Sequence, residues 1–221
     1  MKSVLIFSGG LDSTTLLYKL KNEGHDVFPI TFLYGQKHYK ELESAKEICQ
    51  NLNVIHKVID LSALQTILDS ALTNPNISIP SVPSGAQFYE TLKATVVPNR
   101  NAIFLSVAVG YAQSIDVKNI FFAAHYSDRG MYPDCREEFI SAFENMTKLS
   151  LDDDTVSVSS PFATIKKSEV VKIGNSLNVP FELTWSCYEG KDMHCGRCSA
   201  CRERKNAFVE ASVSDPTEYS E

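Results

Sequence analysis

Apolar residues fill positions 4–7, and Ser8-Gly9-Gly10 closes that run. Leu11, Leu16, Leu17 and Leu20 then recur with an approximate helical period before Gly24. The pattern predicts a buried strand, a tight turn and a helix. Residues 27–33 predict a second strand, ending at Tyr34-Gly35. From 39 to 52, Leu42, Ala45, Ile48, Cys49 and Leu52 share one face of a predicted helix. Residues 54–59 predict a third strand and 62–72 a further helix. This alternation argues for a parallel sheet, since parallel strands need crossover connections and bury both faces.

The rhythm breaks at 73–98, where Pro75, Pro80, Pro83 and Pro98 make a long loop that reads as a lid. It resumes with a helix over 102–113, a strand over 120–124, and a polar, aromatic loop from His125 to Asp134. A helix at 136–147, a strand at 155–158 and a helix at 168–177 follow. The expected fold class is α/β: a five-stranded parallel sheet with helices on both faces, Rossmann-like, plus a small C-terminal metal-binding segment. The expected division is an α/β domain over 1–180, a segment packed on it over 181–211, and a frayed polar tail over 212–221.

Composition narrows the function. The 221 residues carry 21 Lys and Arg against 27 Asp and Glu, a net charge of −6. A broad nucleic-acid surface is usually basic, so direct nucleic-acid binding is not expected. The uncharged stretch 70–89 is broken by prolines and does not read as a membrane span. The first residues lack a leader pattern, and a cytoplasmic location is expected.

Ser8-Gly9-Gly10-Leu11-Asp12-Ser13-Thr14 sits at a strand end and opens a helix, where free backbone N–H groups and the helix dipole favour an anion. The segment is neither a Walker A loop nor a Gly-x-Gly-x-x-Gly turn. Four of six cysteines, Cys187, Cys195, Cys198 and Cys201, fall within fifteen residues. Four thiolates in one loop suit tetrahedral Zn²⁺ in a structural site. An iron–sulfur cluster is the competitor, although the ferredoxin spacing is incomplete. His194 is a reserve ligand. Lys37, His38 and Arg100 stand at predicted strand ends or helix starts, where phosphate or carboxylate groups bind. The stretch from His125 to Arg136 mixes carboxylates, tyrosines and arginines that are costly to bury without a ligand. Lys167 opens a helix, a position that the dipole does not favour for a cation.

Ser-Gly-Gly-x-Asp-Ser resembles the pyrophosphate loop of the ATP-pyrophosphatase superfamily, whose adenine nucleotide alpha hydrolase-like domain has a five-stranded parallel sheet. Further motifs occur in order: Tyr34-Gly35-Gln36-Lys37-His38, Val97-Pro98-Asn99-Arg100-Asn101, Tyr132-Pro133-Asp134-Cys135-Arg136, and Thr184-Trp185-Ser186-Cys187-Tyr188 before the cysteine triplet. Together they resemble the 7-cyano-7-deazaguanine synthase family over residues 1 to about 210. Lys37 stands where an Arg is common in that family.

The resemblance implies an ATP-dependent ligase that turns 7-carboxy-7-deazaguanine and ammonia into a nitrile, in queuosine or archaeosine precursor synthesis. It implies ATP with Mg²⁺, one structural Zn²⁺ and a homodimer. It assigns the nucleotide to Phe7, Ser8, Gly9, Gly10, Leu11, Asp12, Ser13, Thr14, Thr15, Leu16 and Leu17. The acid goes to Arg100, Asn101, His125, Asp128, Tyr132, Asp134 and Arg136, and catalysis to Asp12, Lys167 and Arg100. Ammonia is expected from solution or a partner, because the chain has no room for a glutaminase domain. A tRNA-thiolating or lysidine-forming ATPase and a non-catalytic zinc module are the rival readings.

Overall fold

The computed structural model describes residues 1–36, 39–74, 76–79, 93–189 and 192–220. Five parallel strands form one sheet: β1 (Lys2–Ile6), β2 (Asp26–Leu33), β3 (Lys57–Asp60), β4 (Asn119–Phe121) and β5 (Ser157–Ser159), in the order β3-β2-β1-β4-β5. The helices are α1 (Leu11–Asn22), α2 (Lys40–Asn51), α3 (Arg100–Ser114), α4 (Glu137–Leu151), α5 (Lys167–Ser176) and α6 (Ser199–Ala211).

The side chains of β1 alternate between two cores. Val4 points into one, with Ile30, Ile120 and Val158 beside Leu105 and Ala108 of α3 and Ile140 and Phe143 of α4. Leu5 points into the other, with Leu16 and Leu17 of α1, Ile48 of α2, Val170 of α5 and Phe208 of α6. Both faces are therefore covered, which is why β1 reads as an unbroken apolar run. Burying one such Leu or Ile stabilises by about 1.5–3 kcal/mol.

Two expectations change. Residues 62–72 do not form an α-helix; only Ser62–Thr66 coils, as a 3₁₀ turn with no buried side chain. Ser62–Thr66 has no apolar face to bury, so that turn has no tertiary support for extension into a helix. The tail past 212 is tied down. The Tyr219 hydroxyl donates to Asp215 Oδ2 at 2.6 Å, Asp215 pairs with Arg204, and the Ser220 N–H reaches the His194 carbonyl at 2.9 Å. Its polar residues are ligands of a buried arginine rather than solvated ends. The proposed lid lies largely outside the described residues, as do Lys37 and His38.

Candidate active site

Strand order reverses between β1 and β4, which are neighbours in the sheet although more than a hundred residues apart. Ligands of open α/β sheets bind outside the carboxyl ends of strands at such a switch point. A cavity of about 260 Å³ opens there. One wall is the turn after β1, the other the loop after β4, and α3, α5 and α6 each send in a side chain.

The turn after β1 closes on itself. Ser8 Oγ meets Ser13 Oγ at 3.1 Å and accepts the Gly10 N–H at 3.2 Å, while Ser13 Oγ donates to the Gly10 carbonyl at 3.2 Å. Gly9 has φ +79°, and a Cβ there would lie 2.5 Å from the Glu41 carbonyl of α2. Glycine is thus required by α2 as well as by any anion approaching the loop. Phe7, Ser8, Gly10, Asp12 and Ser13 line the cavity. Leu11, Thr14, Thr15, Leu16 and Leu17 do not; all five are buried in α1. Their place in the nucleotide segment reflects the helix that carries the loop.

Beyond the loop lies a cluster of charge. Lys167 Nζ, at the start of α5, sits 3.0 Å from Asp12 Oδ2, 3.1 Å from Glu203 Oε2 and 3.4 Å from His125 Nε2. Burial works against the Lys167 ammonium, but Asp12, Glu203 and Asp128 outweigh it and hold its pKa above the ordinary value. Burial would likewise raise the Asp12 carboxyl; Lys167 and His125 bring it below the usual carboxylate range. Asp128 goes the other way: burial keeps it above the ordinary value despite His125.

The opposite end is aromatic. Arg100 enters from the start of α3, its guanidinium carbon 6.0 Å from the centre of the Tyr34 ring. Tyr34 also packs edge-on against Phe104. Tyr132 and Tyr188 complete this end of the cavity. A planar heterocycle bearing an anionic group fits a guanidinium set among aromatic faces.

Arg100, Asn101, His125, Asp128 and Tyr132 therefore meet in one cavity with Asp12 and Lys167. Two expected residues do not join them. Asp134 Oδ2 accepts the Asn101 N–H at 3.1 Å and its carbonyl accepts Asn101 Nδ2 at 3.3 Å, bracing the first turn of α3. Helix starts leave N–H groups without partners, and Asp134 serves one of them. Arg136 Nε donates to the Arg129 carbonyl at 3.0 Å on the exposed side of the loop. Tyr34, Tyr188 and Glu203 were missed as pocket residues. Tyr34 and Tyr188 stood in quoted motifs, but nothing local marked Glu203.

Glu203 and Tyr188 both come from the cysteine segment. The Cys187, Cys195, Cys198 and Cys201 sulfurs lie within 4.8 Å of one another and are buried. Cys195 and Cys201 sulfurs are 3.9 Å apart, against ~3.8 Å for thiolates on a tetrahedral ion with ~2.3 Å bonds. The Cys195 N–H donates to Cys187 Sγ and the Cys198 N–H to Cys195 Sγ, both at 3.3 Å. These donors stabilise thiolates, so the donor set fits a soft divalent metal. His194 is no ligand: its Nε2 accepts the Ser186 N–H at 3.1 Å and its ring lies on Trp185. Fully buried Arg204 of α6 grips the Phe181 carbonyl, Thr184 Oγ1 and Ser186 Oγ. Between them, Trp185 donates its backbone N–H to the Gly9 carbonyl at 3.0 Å. The cysteine segment thereby braces the turn after β1.

The fold recurs in NMN synthetase from Francisella tularensis, with a TM-score of 0.52 and 14% identity over 96% of this chain and 77% of that one. It recurs also in NH3-dependent NAD synthetase from Campylobacter jejuni, at 0.50 and 15% over 96% and 75%. These likenesses concern the fold alone. Sequence similarity is far higher to 7-cyano-7-deazaguanine synthase of Caldicellulosiruptor saccharolyticus, 48% identical over 99% of this chain and 96% of the relative. The enzyme of that name from Methanoregula boonei is 46% identical over 99% of both chains. Residues 2–212 match the family described as queuosine biosynthesis protein QueC. The chain belongs to that family.

Proposed function

We propose that this protein is the ATP-dependent ligase that makes 7-cyano-7-deazaguanine from 7-carboxy-7-deazaguanine and ammonia. The observation that carries the reading is that the Ser8–Ser13 turn and the Arg100–tyrosine end share one cavity. A carboxylate must come within ~3–3.5 Å of the α-phosphorus to be adenylated, so both substrates need a common chamber.

Ser8, Gly10 and Ser13 take the departing pyrophosphate at the N-terminus of α1. Arg100 takes the carboxylate, with Tyr34, Tyr132 and Tyr188 around the deazapurine. Lys167, held by Asp12 and Glu203, faces the α-phosphate, where negative charge grows during transfer. Attack of the carboxylate forms the acyl adenylate and expels pyrophosphate; ammonia then displaces AMP to give the amide. The amide oxygen is adenylated in turn, and loss of AMP and a proton leaves the nitrile. Neither oxygen departs unaided, which is why one site consumes ATP twice. Mg²⁺ accompanies ATP and offsets phosphate charge. Zn²⁺ on Cys187, Cys195, Cys198 and Cys201 ties α6 to the pocket. The same reading carries a homodimer and a cytoplasmic location.

Incubation with ATP, the acid and ammonium chloride should yield AMP, pyrophosphate and a product of the nitrile's mass. ADP in place of AMP, or ATP cleavage indifferent to the acid, would reject it. Elemental analysis should find zinc without iron, and sedimentation should find a dimer.

A further inference from the structure

His125, Asp128 and Glu203 meet in the cavity with three ligand atoms within 4.8 Å of one another. Three carboxylates, with Asp12, surround the single ammonium of Lys167, leaving two negative charges when all are ionised. Lys167 satisfies Asp12 Oδ2 and Glu203 but not the rest. His125 is 2% exposed, and its Nδ1 has no hydrogen-bond partner among the described residues; neither has Asp12 Oδ1. Buried polar atoms without partners are rare and mark a ligand or a water. These two belong to one ring and the acid it faces, in the wall of the cavity that holds the proposed acyl site.

We infer that His125, Asp128 and Glu203 form an ammonium site that feeds the amide-forming step. The inference rests on the function proposed above. Dissolved ammonia near neutral pH is mostly NH₄⁺, which is no nucleophile until it loses a proton. Acceptors ~2.8–2.9 Å from one tetrahedral nitrogen lie up to about 4.6 Å apart, and the three ligand atoms here, all within 4.8 Å of one another, are close enough to share one. Mg²⁺ fits less well. It wants an octahedron of oxygens, whereas this set includes an imidazole.

The proton's path is short. One N–H of the bound cation points at His125 Nδ1, and transfer there leaves NH₃ and an imidazolium. That imidazolium has a carboxylate opposite each nitrogen: Asp128 Oδ2 at 3.5 Å from Nδ1 and Asp12 Oδ1 at 3.8 Å from Nε2. The free lone pair attacks the acyl carbon, the bond to AMP breaks with its electrons on the phosphate oxygen, and that oxygen takes the surplus proton of the nitrogen. Asp128 and Glu203 act by holding the cation; His125 takes the proton.

The test compares Asp128→Asn with the unaltered enzyme, using ammonium chloride and hydroxylamine as nucleophiles. Hydroxylamine is uncharged at neutral pH and needs no cation site. Acid-dependent exchange of pyrophosphate into ATP reports adenylation with no nucleophile present. Zinc content and the unfolding midpoint confirm folding of the variant. The inference expects the KM for ammonium raised about tenfold or more and the hydroxylamine reaction affected far less, as for losing a charge-assisted hydrogen bond. Three outcomes overturn it: an unchanged ammonium KM, exchange falling in parallel with amide formation, or a higher Mg²⁺ requirement at constant ammonium KM. If the unaltered enzyme shows no acid-dependent exchange, the functional reading fails instead.

Discussion

The Ser8–Ser13 end of the cavity, proposed to hold phosphate, and its aromatic end are built by opposite routes. Ser8, Gly10, Asp12 and Ser13 come from one stretch between β1 and α1, and their mutual hydrogen bonds span five residues or fewer. Tyr34, Arg100, Tyr132 and Tyr188 come from four separate segments. A contiguous site is a motif, because strand, turn and helix set its geometry locally. An assembled site exists only once the sheet order and helix packing have brought its parts together. The contrast predicts that damage at the phosphate end spreads through the fold, while damage at the aromatic end stays with the substrate.

The largest effect is expected at Gly9. Gly9→Val puts a β-branched residue at φ +79° and a Cβ 2.5 Å from the α2 backbone. Soluble, cooperatively unfolding protein should be lost, and a normal unfolding midpoint would separate the loop from the core. Ser13→Ala, by contrast, should fold and slow acid-dependent pyrophosphate exchange.

Cys201→Ser should come next. Metal binding free energy is part of folding, so losing one thiolate should release the metal and loosen the segment that carries Tyr188, Glu203 and Trp185. Activity and thermal midpoint should fall together with zinc content. Activity unimpaired in metal-free protein would show that the segment does not brace the pocket.

Lys167→Met removes the cation between Asp12 and Glu203. Leaving buried charge unpaired costs about 3–5 kcal/mol, and losing transition-state charge stabilisation slows turnover about 10²–10³-fold. Unchanged turnover would move the α-phosphate elsewhere. At the aromatic end, Tyr188→Ala should raise the KM of the acid about tenfold and leave the unfolding midpoint within about 1 kcal/mol. A kcat effect without a KM effect would assign Tyr188 to the reacting atoms.

The smallest effect concerns pH. His56 is held below its ordinary pKa of 6.5 by burial and by Lys46. Its Nε2 meets Thr31 Oγ1 at 2.7 Å, and Thr31 donates to the Phe7 carbonyl just before the turn. A base with a depressed folded pKa leaves the unfolded chain binding more protons below pH 6.5. That contribution is full above 6.5 and is lost as pH falls toward the folded value. Denaturant midpoints at pH 7.5 and 5.5 should show the decline, and His56→Asn should flatten part of it.

Sequence alone determined the elements whose geometry is local. The strand–glycine–helix unit at 4–20 needs only its own hydrophobic spacing and its turn residues. The four cysteines must cluster because their spacing leaves the chain little room to separate them. The alternation of strands with helical segments determined a parallel sheet, since parallel strands need crossover connections. Tertiary structure decided everything that depends on which distant segments meet. The reversal of strand order put His125 beside Asp12. Helix α6, anchored through Arg204, delivered Glu203 to Lys167, a pairing separated by thirty-six residues. Asp134 and Arg136 sat in a motif as suggestive as that of Tyr132. They fell outside the pocket because a loop residue's direction is set by what packs behind it: Asp134 faces the α3 amide, and Arg136 turns back on Arg129.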